Sequence, residues 1–245
     1  MKFLICISNV PDTTTKISFN ENNTSFNATG VQFILNPYDE LSIARALELA
    51  EGGKAHITIL HIGEIQNEPT IRKALALGGD EAVRINAQAK DGFFVAKQIA
   101  HYAEGKGYDL IFFGRESIDY NGSQVCAMVG ELLNIPSVSI CKKLDLDGNN
   151  ALVEREIEGG KEILTVKLPF ALSSTEGISE PKIPNMRGIM SARTKPLLVL
   201  EPISVEEKEK TLHFESPKPR GQVKLIPSDS AENLINLLHE EAKVI

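Results

Sequence analysis

The sequence predicts a doubly wound α/β fold with a mostly parallel sheet, an added β-hairpin and a C-terminal arm. Three observations predict it. Short apolar runs rich in β-branched residues alternate with longer amphipathic stretches, as in strands buried on both faces and crossed over by helices. Two strands of alternating polarity around Glu158, Gly159 and Gly160 break that rhythm, and a charged EEKEK run precedes a last amphipathic segment. The expected division is an α/β domain over 1–200 and an arm with a terminal helix over 201–245.

The elements follow in order. FLICIS (Phe3–Ser8) is the first buried strand, and KISFN (Lys16–Asn20), an ENNTS turn and VQFIL (Val31–Leu35) form a small hairpin excursion. Asn36 before Pro37, with Asp39 and Glu40 in the next turn, reads as an N-cap, a proline at the first helical position and acids facing the positive end of the helix dipole. That helix runs Tyr38–Glu51 and ends at Gly52 and Gly53. Strand and helix then alternate: Ala55–Gly63, Pro69–Gly79, Ala82–Asn86, Gly92–Gly107, Asp109–Gly114, a helix over about Ser123–Leu133 and the strand Ser137–Ile140. Leu152–Ile157 and Glu162–Pro169 are the hairpin. A proline-punctuated loop fills Glu176–Lys195, and PLLVLEP leads into the arm, whose last helix starts at a capping-box-like Asp229 and Glu232.

With 33 acidic against 26 basic residues, the formal charge of -7 does not supply the clustered cations an electrostatic nucleic-acid binder needs. Cys6, Cys126 and Cys141 stand in apolar surroundings with no CxxC, which reads as reduced core thiols in a cytosol-like compartment. The first apolar run is too short for a signal-peptide core, and no stretch reaches membrane-spanning length. A cytoplasmic location without membrane insertion is the expectation.

Ligands of open parallel sheets bind beyond the carboxyl ends of the strands, where strand order reverses. The candidate exits are Cys6–Asn9, His61–Gly63 and Gly114–Gln124. GRESIDYNGSQV places Gly114 at a strand end and Ser123, Gln124 and Val125 at a helix start, where unpaired N–H groups and the dipole can hold a phosphate. The alternative is a glycine-rich connector; Asn36 either lines that pocket or only caps its helix. There is no GxGxxG after the first strand, no GxxxxGK[ST], no HExxH and no GxSxG, so the chain offers no obvious catalytic group.

VEREIEGGKEILTVKLPFALS (Val153–Ser173) resembles the signature segment of the electron transfer flavoprotein β subunit, and NPYDELSIARALEL, TIRKALALGGD and GRESIDYNGSQV resemble that family's other segments in the same order. The resemblance covers nearly the whole chain. It implies a Rossmann-like fold of the adenine nucleotide alpha hydrolase-like kind and makes 1–200 a nucleotide-binding domain. The implied role is that of an electron carrier rather than an enzyme: half of a heterodimer with an α subunit that holds most of a shared FAD. Acyl-CoA and related flavin dehydrogenases would supply the electrons, and an electron transfer flavoprotein-quinone oxidoreductase would receive them. The β pocket would hold AMP, or a second FAD in a bifurcating member, with Cys6, Asn36, Gly63, Gly114, Ser117, Tyr120, Ser123, Gln124 and Val125 around it. Tyr120 stands where some members have an acid and Val125 where some have Thr.

Arg155 and Glu156 match a pair near the flavin or the subunit interface, where a cation would stabilise anionic forms of the ring. EPKIPNMRGIM (Glu180–Met190) resembles the recognition loop, with Met186 as anchor and Ile183, Arg187 and Ile189 beside it. A flexible thioether suits several partner pockets, and Arg187, Arg193 and Lys195 would steer an acidic partner. Two other classes compete on this architecture. A universal-stress-type nucleotide-binding regulator leaves the Val153–Ser173 segment unexplained, and an ATP-activating enzyme would need an SGGxDS-like loop where SNVPDTTTK stands.

Overall fold

The computed structural model describes residues 1–20, 22–219, 221 and 223–245. Among the described residues, the central sheet has nine strands. These are β1 (Lys2–Ile7), β4 (His56–Ile62), β5 (Glu81–Ile85), β6 (Leu110–Gly114), β7 (Ser137–Asp147), β8 (Asn150–Ile157), β9 (Gly160–Lys167), β10 (Phe170–Ser174) and β11 (Leu197–Leu200). The order is β11-β5-β4-β1-β6-β10-β7-β8-β9. Every pair from β11 to β7 is parallel, and β7, β8 and β9 are antiparallel. The predicted doubly wound sheet with an added hairpin is therefore present. Strand order reverses between β1 and β6.

The helices are α1 (Pro37–Leu49), α2 (Glu68–Leu77), α3 (Gly92–Ala103), α4 (Val125–Leu133), α5 (Met186–Ala192) and α6 (Ala231–Glu240). Alternate residues of the strands point to two apolar layers. Phe3, Ile5, Ile57, Ile59, Leu110 and Phe112 meet α1 and α2, while Leu4, Cys6, Leu60, Ile62, Ile111 and Phe113 meet α3 and α4. This is why the strand sequences are apolar without alternation: both faces are covered. The strand β8, with one face toward solvent, alternates instead: Ala151 and Val153 are buried, whereas Leu152 is 46% exposed.

The structure corrects several sequence readings. The small hairpin pairs β2 (Asn9–Pro11) with β3 (Phe33–Leu35), not Lys16–Asn20 with Val31–Leu35. Ile17 is more than half exposed and has no core to bury in, so the chain is extended nearer to β1. Part of the ENNTS turn, Glu21, lies outside the described residues. FALSS is a full strand, β10, inserted between β6 and β7. The loop over Glu176–Lys195 contains α5, capped by Asn185 Oδ1 accepting from Gly188 N at 2.8 Å. The capping box at Asp229 and Glu232 does not form: Ser230 holds the N-cap position of α6 and makes no side-chain cap bond.

Two compact units are distinguished: residues 1–17 with 28–211, and residues 18–27 with 212–245. Within the first, the chain after β11 stays attached to α3. Gln98 bonds both backbone atoms of Ile203, and Asp91 caps α3 through Phe94 N while accepting from Lys208 N and Glu209 N. Those donors hold the Asp91 carboxyl below its usual range against its desolvation. The second unit is small. Phe19 stacks on Phe214 with centroids 4.8 Å apart, Phe214 N donates to Asn23 O, and Lys224 pairs with Glu241. No residue of α6 is buried.

Candidate functional site

The strand exits of β4, β1 and β6 lie side by side, so Cys6, Gly63 and Gly114 are carried by neighbouring strands. Asn36, one residue before α1, is 1% exposed and does not cap its helix. Its Nδ2 donates to Glu116 O at 2.8 Å, and its Oδ1 is buried without a hydrogen bond. Of the two sequence readings, side-chain capping is not made.

Asp39, read as an acid facing the dipole, stands in the first turn of α1 and is buried at the switch point. Burial pushes its pKa up to about 7, against opposing hydrogen bonds from Ser8 N, the Asn36 amide and Gly114 N. The Cys6 thiol is also raised, by desolvation first and then by Asp39 and Cys126.

Beyond β6 the chain makes a tight excursion. Ser117 and Gly122 form an antiparallel bridge, Ser117 Oγ bonds Asp119, and Asn121 adopts a left-handed φ of 50°. Tyr120 at its tip is 70% exposed. Ser123 and Gln124 precede α4, which begins at Val125, later than the sequence suggested. Gln124 makes no side-chain cap bond, and the first N–H groups of a helix have no partner within it. Its side chain lies over Gly92 at the start of α3, where an added Cβ would come within 2.7 Å of Gln124 Nε2.

Gly63 is required by His61, which the sequence marks only as the start of a strand exit. His61 is 4% exposed; its Nδ1 lies 2.8 Å from Ile7 O and its Nε2 has no hydrogen-bond partner. Desolvation, with Arg84 nearby, lowers its pKa to about 4, so the neutral ring donates from Nδ1. Arg84, its cross-strand neighbour on β5, is also buried and donates to Gly63 O and Asn86 Oδ1. A Cβ at position 63 would stand 2.2 Å from His61 Nε2 and 2.8 Å from Asn67 Oδ1. Gly63→Ala is therefore expected to cost about 2 kcal/mol by overpacking, a fall of about 4–8 °C in Tm by calorimetry. Because the folded state resists protonating His61, the wild type should also lose stability as the pH falls from about 6.5 toward 4.

The structure does not bring Arg155 and Glu156 into this crevice. They lie on β8, which β10 and β7 separate from β6. Arg155 Nε pairs with Glu162 Oε2 across the hairpin at 2.6 Å, and Glu156 lies 3.6 Å from Lys142 Nζ. Opposite them β7 is irregular, with Ile140 at φ 59°, an uncommon conformation for a β-branched residue. Ile163 and Ile157 on the same hairpin are exposed.

A third cluster sits around α5. Ile183 is 93% and Met186 72% exposed, with Ile189, Met190 and Arg187 also outward. The helix is held against α2 because Gly188 approaches Ala76 O, where an added Cβ would lie at 2.4 Å, and because Arg72 donates to Ala192 O and Lys195 O. Lys195 is not part of an outward basic patch. Its Nζ donates to Leu75 O and Gly79 O at the carboxyl end of α2, where the dipole and unpaired carbonyls favour a cation.

Residues 24–204 match the Electron transfer flavoprotein domain, and the chain is 35% identical over 230 residues to the electron transfer flavoprotein subunit beta of Bacillus subtilis, covering 88% of this chain and 90% of that one. The chain belongs to the electron transfer flavoprotein β-subunit family. The subunit of the same name from Syntrophomonas wolfei is 33% identical over 90% of this chain and 88% of its own. The mitochondrial one from Arabidopsis thaliana is 30% identical over 100% of both. Membership of the electron transfer flavoprotein β-subunit family accounts for the β8–β9 segment that the universal-stress reading left unexplained. Among the described residues, no helix is long and apolar enough to cross a membrane.

Proposed function

We propose that the chain is the β subunit of a heterodimeric electron transfer flavoprotein, an electron carrier and not an enzyme. In this reading it passes electrons from acyl-CoA and related flavin dehydrogenases to a quinone-linked oxidoreductase in the cytoplasm. FAD, held mainly by the α subunit, supplies the redox chemistry. This chain's own residues bind, orient and dock. The observation that carries the reading is the family match over 24–204, supported by the exposed apolar side chains of the β8–β9 hairpin and of the α5 region.

In the crevice, AMP is the proposed ligand. Its phosphate would take the unpaired N–H groups of Ser123, Gln124 and Val125, helped by the α4 dipole. Cys6, Asn36, Gly63, Gly114, Ser117 and Tyr120 would surround the adenosine. The buried, unbonded Asn36 Oδ1 supports a polar ligand, because a native acceptor so placed normally finds a donor. On the hairpin, Arg155 and Glu156 would face the shared flavin or the α subunit. A guanidinium there favours negative charge on a neighbouring ring without contacting its reacting atoms. Met186, with Ile183, Arg187 and Ile189, would meet the dehydrogenases. Residues 1–200 would form the nucleotide-binding domain and 201–245 the arm.

Mass spectrometry of ligands released from the native αβ complex tests this. One FAD with one AMP is the expected result. Two FAD would replace AMP by a second flavin, FAD alone would remove the crevice as a nucleotide site, and a colourless self-associated chain would overturn the whole reading.

A further inference from the structure

We propose that Asp39 is a positioning residue for the nucleotide crevice, its carboxylate tying the exit of β1 to the end of β6 and so fixing the spacing between the strand ends that flank the adenosine. The proposal rests on the nucleotide reading above. Backbone pairing between β1 and β6 runs from Phe3 with Leu110 to Ile5 with Phe112 and then ends. Past that point Asp39 bridges the gap: Oδ2 accepts from Ser8 N at 2.7 Å and Oδ1 from Gly114 N at 2.9 Å.

The bridge is built to close tolerances. A Cβ at Gly114 would stand 2.3 Å from Asp39 Oδ1 and 2.9 Å from Tyr38 Cβ, so only glycine admits the carboxylate. The helix that carries Asp39 is itself fastened to both strands: Asn36 N donates to Ser8 O, Asn36 Nδ2 to Glu116 O, and Ser42 Oγ to Phe113 O at 2.7 Å. Both N–H groups at the switch point are thus taken by an anion. A ligand phosphate finds neither free donors nor a favourable charge there, and is directed to the start of α4.

The bridge needs the ionised form. A neutral carboxyl carries a proton on one oxygen and can no longer accept strongly from both N–H groups. Desolvation opposes the ionised form first and Glu40 on α1 adds to it, whereas the hydrogen bonds from Ser8 N, the Asn36 amide and Gly114 N favour it; Cys6 on β1 is buried, and Arg115 beyond β6 lies over the Tyr38 ring and pairs with Glu116. With its pKa near 7, the folded chain holds more protons than the unfolded one between about pH 4 and 7. Ionisation therefore subtracts stability as the pH rises through that window. The charge serves geometry at the expense of stability.

The test uses the αβ complex with 15N-glycine in the β chain, titrated from about pH 6 to about pH 8 around the shifted carboxyl. The Gly114 amide should move with a midpoint near pH 7 in the wild type. AMP affinity by calorimetry should fall about tenfold more toward acid in the wild type than in Asp39→Asn. The ionisation of the AMP phosphate is common to both proteins and cancels in that comparison. Asp39→Asn, a neutral isostere, should bind weakly throughout without losing Tm above pH 7. Gly114→Ala should reproduce the weak binding. A Gly114 amide that does not titrate, or identical pH profiles for wild type and Asp39→Asn, would overturn the bridge while leaving a bound nucleotide in place. A wild-type complex that binds no adenine nucleotide would instead take down the crevice reading, and the role assigned to Asp39 with it.

Discussion

Deleting residues 212–245 should abolish recovery of the α subunit with this chain while leaving the α/β domain folded. Among the described residues the buried apolar core lies within residues 3–192, so the deletion removes none of it. What it removes is exposed apolar surface: Leu212, Val223, Leu225, Ile235, Val244 and Ile245 are each at least 60% exposed, and α6 buries nothing. Exposed apolar surface of this kind is what a partner subunit would cover. Burying two such side chains is worth about 3 kcal/mol, which is about a hundredfold in Kd. Co-purification and analytical ultracentrifugation of the truncated pair read the loss, and the thermal transition of the truncated chain checks that the domain survives. A truncated chain that still forms the yellow complex with undiminished affinity would exclude the arm from assembly.

The second large effect is expected at Met186. If Met186 is the docking anchor proposed above, truncating it forfeits about 1.5–2 kcal/mol of burial, and Met186→Ala should slow electron transfer from a dehydrogenase about 10–30-fold in kcat/KM. Flavin content should not change, because α5 is held against α2 and carries none of the crevice residues. Met186→Leu, similar in volume, should retain most of the activity. The α5 helix makes the result interpretable. Asn185 caps it and Gly188 seats it against Ala76 O, so Met186→Ala shortens one outward side chain without releasing the segment. Stopped-flow transfer rates unaltered by the substitution would remove the docking role.

Much of this molecule was legible in the sequence because burial on two faces leaves a plain mark. FLICIS, ITILHI and LIFFG could only be strands covered by helices, and VEREIEGGKEIL could only turn back on itself at its glycines. The GRESIDYNGSQV segment was legible for the same reason, since a strand end, a turn and a helix start follow one another within it. Other features left no such mark. FALSS is as apolar as any strand, yet its place between β6 and β7 follows from the chain returning after the hairpin. The α5 helix is shorter than two turns and owes its existence to a cap and to α2, not to a repeat in its own sequence.

The side chains at the switch point show the division most sharply. From the sequence alone came the fold class, the strand exits and the family resemblance, because local hydrophobic pattern and motif order determine them. Only the tertiary structure decided that Asp39 leaves the helix surface to join Ser8 and Gly114, that His61 occupies the space a Cβ at Gly63 would need, and that Lys195 is spent on the end of α2. A charge read along the chain looks solvated. Its partners lie 31 and 75 residues away for Asp39 and 120 and 116 for Lys195, and burial by distant segments, not sequence neighbours, sets what such a group bonds and how readily it ionises.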